Sequence, residues 1–374
     1  MGGANSTDVT DAIVIGGGLH GLSCALYLAQ AGMRVCIVEK NTIGRHASGA
    51  NAGGVRQLGR ALPEVPLACA ALPIWHNIRA LVDDDCGFVK SGQIKVAETQ
   101  SQLQSLAKRR KTLLDLGFQH EEIIDQQELY QQLPALAPGC VGGTIVRSDG
   151  HASPFRTVQA FRRKVESLGV VIHENTPVTS AKKQGQTWQI KTAAASFEAP
   201  VVVNAAGAWG GKIAQMMGDH APVRAAALML MITGRLAPFV TPVVGAAGRS
   251  LSLKQFDNGS VLIGGGYEGR ADPGHNLTHL DFAGLANNAT AAGALFPIMR
   301  GASILRCWAA IEGHLPDSIP VIGEGSEQGV FHAFGFSAHG FALTPIIGKI
   351  ITDLVVGGVS EFPIHAFSVG RFAD

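Results

Sequence analysis

The chain has 374 residues, 46% hydrophobic and only 16% charged, against roughly a quarter charged in ordinary soluble proteins. That excludes a disordered polypeptide and predicts a large core, in two domains or in one with an elaborated sheet. Thirty Lys and Arg against 29 Asp and Glu leave a formal charge of +1, too weak a field to grip a nucleic-acid backbone or an anionic membrane.

The start, MGGANSTD, lacks the cationic and apolar segments of a secretion signal. Gly2 with Ser6 matches a myristoylation pattern, a match that a run of small residues produces by chance. DAIVI at 11–15 predicts a strand that stops at Gly16, Gly17 and Gly18, a helix follows over 22–31, and RVCIV at 34–38 predicts a second strand ending at Glu39. This is a βαβ unit. GGGLHG at 16–21 fits G-x-G-x-x-G in the required context, with an acid about 20 residues on. Gly16 permits the tight turn, Gly18 lets backbone N–H groups approach a pyrophosphate at a helix N-terminus, and Gly21 lets helix and strand pack closely. Glu39 suits a ribose diol, and the absence of an arginine directly after it argues against a 2′-phosphate.

Further along, helices are predicted over 101–116, 121–133 and 153–168, the last opened by Ser153 and Pro154. Strands are predicted at 170–173, 187–192 and 201–203, and a hairpin joins 249–253 to 260–263 across Asp257, Asn258 and Gly259. The apolar stretch 12–31 is broken by four glycines and His20, and Lys349 and Asp353 interrupt the late one, so no transmembrane segment is expected. The six cysteines, at 24, 36, 69, 86, 140 and 307, form no CxxC and join no histidine cluster. Free thiols in a cytoplasmic protein are expected, with no metal. Forty-seven glycines, against roughly 7% in an average chain, predict backbone brought close to a bulky cofactor.

NAAGAW at 204–209, directly after the strand 201–203, is a second anchor. With GGGLHG, VEK at 38–40, GRHASGANAGGVR at 44–56, LPDSIPVIG at 315–323 and GFSAHGFALTPIIGKIITDLVVGG at 335–358, it makes the chain resemble the FAD-dependent amino-acid oxidases and dehydrogenases of the glycine oxidase, sarcosine oxidase and D-amino-acid dehydrogenase group. Within that group, the 44–68 stretch is most similar to bacterial opine oxidase beta subunits and the related hydroxyproline and cyanide-forming glycine dehydrogenases.

The resemblance implies an α/β, two-domain flavoprotein: a Rossmann-like FAD domain over 1–84, 146–222 and 306–374, interleaved with a mainly antiparallel-sheet substrate domain over 85–145 and 223–305. Gly16, Gly18, Gly21, Glu39 and Lys40 would serve the ADP half, with Val178 at the adenine edge. The 44–55 segment, carrying Arg45, His46, Ala47, Ser48, Ala52, Gly53, Gly54 and Val55, would run beneath the isoalloxazine, where small side chains let backbone lie flat. Ala206, Gly207 and Trp209 would flank the cofactor. Gly335, Phe336, Ser337, His339, Gly340 and Phe341 would meet its pyrimidine end, opening a helix whose dipole stabilises negative charge at N1–C2=O. Covalent members carry a cysteine where this chain has Ala310, which implies noncovalent FAD.

Three residues are candidates for the chemistry. Arg56 matches one half of the family's carboxylate clamp, while Ala342 stands at the lysine of the other half; the alternative for Arg56 is a surface or phosphate contact. Glu312, four residues before Pro316, could pair with a cationic substrate group or be an internally paired glutamate. His339 is a lone histidine in a glycine-rich turn, structural or functional. The implied reaction oxidises the C–N bond of an amino acid, opine, D-hydroxyproline or similar secondary amine, with hydride passing to flavin N5. Because VLIGGGYEG at 261–269 has no lysine to activate oxygen, electrons are expected to pass to partner subunits. A self-sufficient oxidase, a catalytically silent flavoprotein subunit and an NAD-dependent dehydrogenase remain the alternatives.

Overall fold

The computed structural model describes residues 10–373; the Gly2 and Ser6 pattern lies outside the described residues. The strands Ala12–Ile15, Val35–Val38 and Val201–Asn204 are apolar along nearly their whole length, which suits a sheet covered on both faces. They form the centre of a six-stranded sheet ordered Val321–Glu324, Val330–Phe334, Val201–Asn204, Ala12–Ile15, Val35–Val38, Val171–His173. All neighbours are parallel except the first pair.

Alternation along these strands divides the core. Ala12 and Val14 face a cluster that includes Leu22 and Leu26 of helix Leu19–Gln30 and Leu343 and Ile347 of helix Gly340–Gly357. Ile13 and Ile15 pack instead against Trp188, Ile190 and Phe197, which belong to a three-stranded antiparallel sheet laid over the other face. Among the described residues, Gly340–Gly357 is the one helix long and apolar enough to cross a membrane, and 67% of it is buried inside the protein. Its apolar surface is used by the core.

A ten-stranded sheet, largely antiparallel, is built from residues 93–146 and 224–314. Its long strands Arg224–Arg235 and Ile304–His314 pair over most of their length, and helix Phe282–Leu295 packs on the sheet through Leu285, Ala292 and Leu295. The chain enters this sheet twice, returning each time to the six-stranded one.

Two expectations need correction. The stretch 121–133 is not one helix: Glu122–Asp125 is a strand paired with Gly142–Val146, and helix Gln126–Gln132 starts only after it. The β-branched pair Ile123 and Ile124 favours the sheet, and Asp125 caps the helix by accepting the Glu128 N–H at 2.8 Å. In the hairpin the strands are Ser252–Gln255 and Ser260–Gly264. Arg249 lies before the first strand, because its guanidinium is bound by Glu98. The helix predicted from Ser153 spans Pro154–Ser167, and the Ser153 hydroxyl accepts the Arg156 N–H at 3.4 Å.

Candidate active site

A cavity of about 780 Å³ runs from the first βαβ turn to the ten-stranded sheet. At its dinucleotide end Gly16 has φ +109°, and a Cβ there would stand 2.5 Å from the Ala205 carbonyl oxygen. Only glycine admits that turn against the 204–206 backbone. The two Glu39 oxygens accept the N–H groups of Gly17 and Asn41, each at 2.7 Å. Each oxygen keeps a free lone pair, and Glu39 lines the cavity beside Gly16, Gly18 and Val178. Burial raises its carboxyl above the ordinary value. Lys40 lies over the Trp209 ring, 3.2 Å from its centroid, and binds Asn276 in the turn between strands Glu268–Asp272 and Leu277–His279; His46 tilts against the same ring.

The 44–55 segment forms the floor. Ser48 accepts the Leu19 N–H at 2.9 Å, so the floor is fastened to the first helix turn. Asn51 closes the floor on itself through the Ala47 and Ser48 carbonyls and the Gly53 N–H. From the ten-stranded sheet Trp308 Nε1 donates to the Ala50 carbonyl at 2.9 Å and Lys254 Nζ to the Ala52 carbonyl at 2.6 Å. Burial pushes the Lys254 ammonium down to about 7.

Arg56, Arg60 and His339 form the far wall with Glu312. The 56–60 backbone is fixed by Asp149, which accepts the Gln57 and Leu58 N–H groups at 2.8 and 3.0 Å, and by Glu121, which accepts that of Gly59 at 2.9 Å. Arg60 is 1% exposed and donates to the carbonyls of Arg56 at 3.0 Å and His339 at 2.6 Å. The fully buried Glu64 carboxylate lies 3.7 Å from Arg60 and 3.2 Å from His339 Nδ1. His339 is thereby tied into a structural triad as well as lining the cavity. Burial lowers its imidazole, with Glu64 opposing. Among the described residues the Arg56 side chain bonds once, to the Leu58 carbonyl at 2.5 Å, and burial lowers its guanidinium.

Before helix Gly340–Gly357, Ser337 and Ala338 hold φ +47° and +68°, a strained arrangement for residues with a Cβ. It turns the Ala338 N–H to the Glu312 carboxylate at 2.6 Å. Burial pushes the Glu312 carboxyl up to about 7, against the lowering effect of that N–H, and the Glu268 charge adds to the rise.

The cavity wall brings together the remaining expected residues Arg45, Ala47, Ala52, Gly53, Gly54, Ala206, Gly207, Gly335, Phe336, Gly340 and Phe341. Gly21, Val55 and Ser337 do not line it. A Cβ on Gly21 would lie 1.9 Å from the Gly16 carbonyl oxygen, so Gly21 serves packing behind the turn. Val55 is fully buried in the hydrophobic core. Ser337 accepts the Leu315 N–H at 3.2 Å. Sequence reasoning missed Arg60, Glu64, Asp149 and Lys254, and also Gln93 and Lys95, which line the cavity from strand Gln93–Ala97. Their one local signal is the polar–apolar alternation of QIKVA, which marks a face without saying what it meets.

The residues fit FAD. Gly54 and Gly207 line the cavity, and a Cβ on either would meet no protein atom within 4 Å, so the wall there is bare backbone against which a flat ring system can lie. The acidic residue, the glycine turn and the helix N-terminus suit the nucleotide half.

Comparison with known proteins agrees with this geometry. The model of the family described as DAO, FAD dependent oxidoreductase, matches residues 11–354. Glycine oxidase from Geobacillus kaustophilus (strain HTA426) is 27% identical over 372 residues, covering 96% of this chain and 97% of its own. One of the subunits of opine oxidase from Rhizobium meliloti is 25% identical over 373 residues, covering 97% of each. The crystal structure of L-proline dehydrogenase from P. horikoshii matches with a TM-score of 0.90 at 25% identity, over 98% of each chain.

Proposed function

Since the chain belongs to the family of FAD-dependent oxidoreductases and is an FAD enzyme acting on the C–N bonds of amines and amino acids, we propose that its substrate is an N-substituted amino acid, an opine, D-hydroxyproline or similar secondary amine, and that the electrons leave through a partner subunit. The observation that carries this reading is the continuity of one cavity from the dinucleotide turn to Arg56 and Glu312. In this reading the part built on the six-stranded sheet holds FAD and the ten-stranded sheet shapes the substrate pocket.

FAD, when bound, would supply the hydride acceptor for oxidation of the substrate C–N bond. Arg56 holds the substrate carboxylate in a water-poor wall, where a charge-assisted bond is strong. Glu312, with its proton affinity near neutrality, takes the ammonium proton so that the amine reacts in its neutral form. Leu228 and Leu230 line the same space and exclude water. The imine product is hydrolysed after release.

A partner subunit as electron outlet is supported by the likeness to a protein named as one of the subunits of an opine oxidase and by the engagement of Lys254 Nζ with a backbone carbonyl. Cys24, Cys69, Cys86, Cys140 and Cys307 form no disulfide, which supports a cytoplasmic setting. A second reading, a self-sufficient oxidase, is favoured by the nearness of that same lysine to the floor segment. Anaerobic mixing with opines, D-amino acids, proline derivatives, sarcosine and glycine tests the reaction: at least one N-substituted amino acid bleaches the flavin. A chain that no amine bleaches would be catalytically silent.

A further inference from the structure

Strand Gln93–Ala97 alternates, with Ile94 and Val96 fully buried in the core and Gln93 and Lys95 on the cavity wall. In the neighbouring parallel strand their partners are Val243 and Gly245, both also on the wall. Gly245 leaves the space beside Lys95 free of a side chain. The Lys95 ammonium has no hydrogen-bond or ion-pair partner among the described residues, and the buried Gln93 Oε1 has no donor. Arg109 nearby is neutralised by Glu121 at 2.9 Å, whereas Arg56 donates to the Leu58 carbonyl and forms no ion pair among the described residues. Two cations, neither in ion-pair contact with a carboxylate among the described residues, therefore line one cavity. Burial and the Arg56 and Arg109 charges lower the Lys95 ammonium, with Glu121 opposing. The Glu64, Asp149 and Glu121 carboxylates act on Arg56 only through space, so an anion brought into the cavity would be the first to meet both cations directly.

We propose that Lys95, with Gln93 beside it on the wall, forms a second anchoring subsite for the substrate, in which Lys95 binds a second carboxylate carried on the nitrogen substituent. The substrate class is then a secondary amine with two carboxylates, one held by Arg56 and one by Lys95. This rests on the C–N oxidation reading above and narrows its substrate.

The test uses inert analogues with sulfur in place of nitrogen, so that binding is read without turnover. Thiodiglycolate and 3-(carboxymethylthio)propanoate are titrated against (methylthio)acetate, following the perturbation of the flavin spectrum of the FAD-loaded protein and, independently, calorimetric heat. The expected result is a dicarboxylate preference of roughly tenfold or more, the scale of one added charge-assisted contact. Lys95→Met abolishes that preference with FAD content unchanged, and Lys95→Arg retains most of it. A wild-type protein that binds mono- and dicarboxylates equally, or a Lys95→Met variant that keeps the preference, overturns the subsite. If dicarboxylates bind through Lys95 but no amine bleaches the flavin, the subsite stands and the oxidation reading falls. If amines bleach it without any preference, the reverse holds.

Discussion

Ala338 gives its backbone N–H to the Glu312 carboxylate at 2.6 Å, and it can do so because its own φ of +68° turns that N–H away from the helix it precedes. One hydrogen bond does not offset the burial of the carboxylate, which titrates near 7. A substrate cation beside Glu312 would favour the charged form and lower that value. Glu312→Gln should therefore remove an ionisation near neutrality from the pH profile of flavin reduction, and should weaken cationic substrates more than neutral ones. Equal loss on both classes would show that the carboxylate does not read charge.

Among the described residues the Arg56 guanidinium bonds to one neighbouring carbonyl, whereas Arg60 is committed to two carbonyls and the Glu64 carboxylate. The two arginines should respond differently. Arg56→Ala is expected to raise the half-saturating substrate concentration by roughly 10² while FAD content is kept, as expected for a shielded guanidinium–carboxylate contact. Arg60→Ala should instead lower thermal stability and FAD retention together. Wild-type substrate affinity with FAD lost in Arg56→Ala would make Arg56 a cofactor residue.

Asp149 is fully buried, and burial pushes its carboxyl up to about 7 from an ordinary 3.8, against two backbone N–H bonds. Between those values the native state binds more protons than the unfolded chain, so this group destabilises the fold as pH rises. Asp149→Asn removes the titration. Its Tm should fall below the wild type at pH 5, where one backbone N–H loses its acceptor, and the deficit should shrink by pH 8. Comparing variant with wild type matters because the buried histidines His20 and His151, lowered to about 4, titrate in the opposite sense over part of the window. A Tm difference that does not change with pH would exclude Asp149 as the titrating group.

Much of the fold is local enough to be read from the chain. The run of glycines at 16–18, the strand–helix–strand context around it and the Ser153 cap each depend on near neighbours. What was not legible depends on distant ones. The strand Glu122–Asp125 exists because Gly142–Val146 pairs with it, and Lys254 matters because Ala52, some two hundred residues earlier, presents a carbonyl to it. Glu64 looks like any helix-start acid until His339 and Arg60 arrive from elsewhere. Val55 and Ser337 lie inside cofactor-loop motifs yet do not line the cavity, since motif membership does not specify which side chains reach it.

Ala310 lines the cavity on strand Ile304–His314 at the place where covalent relatives carry cysteine. A methyl group cannot form a thioether. Acid precipitation should release the yellow colour into the supernatant, and colour retained in the pellet would require attachment through another residue.

Oxygen reactivity is where Lys254 decides between the two functional readings. One-electron reduction of oxygen creates an anion, which a fixed positive charge near the site of transfer stabilises strongly. Stretch 261–269 has no lysine, but Lys254 is the register partner of Leu262 on the adjacent strand, so a lysine does approach the floor segment. Its Nζ is bound to the Ala52 carbonyl, lies off the cavity wall, and titrates near 7. Near neutral pH a substantial fraction of it is uncharged, and its N–H serves to hold the loop. On this geometry the reduced protein should reoxidise slowly in air and rapidly with an artificial acceptor, and lowering the pH from 8 to 6, which protonates Lys254, should speed the reaction with oxygen. Lys254→Met should remove that pH dependence and loosen FAD, because the Ala52 carbonyl loses its donor. The experiment is to reduce the purified chain with dithionite, admit air, and follow flavin absorbance and peroxide at several pH values. Rapid reoxidation with stoichiometric peroxide at pH 8 would show that the chain is a self-sufficient oxidase that needs no partner for its electrons.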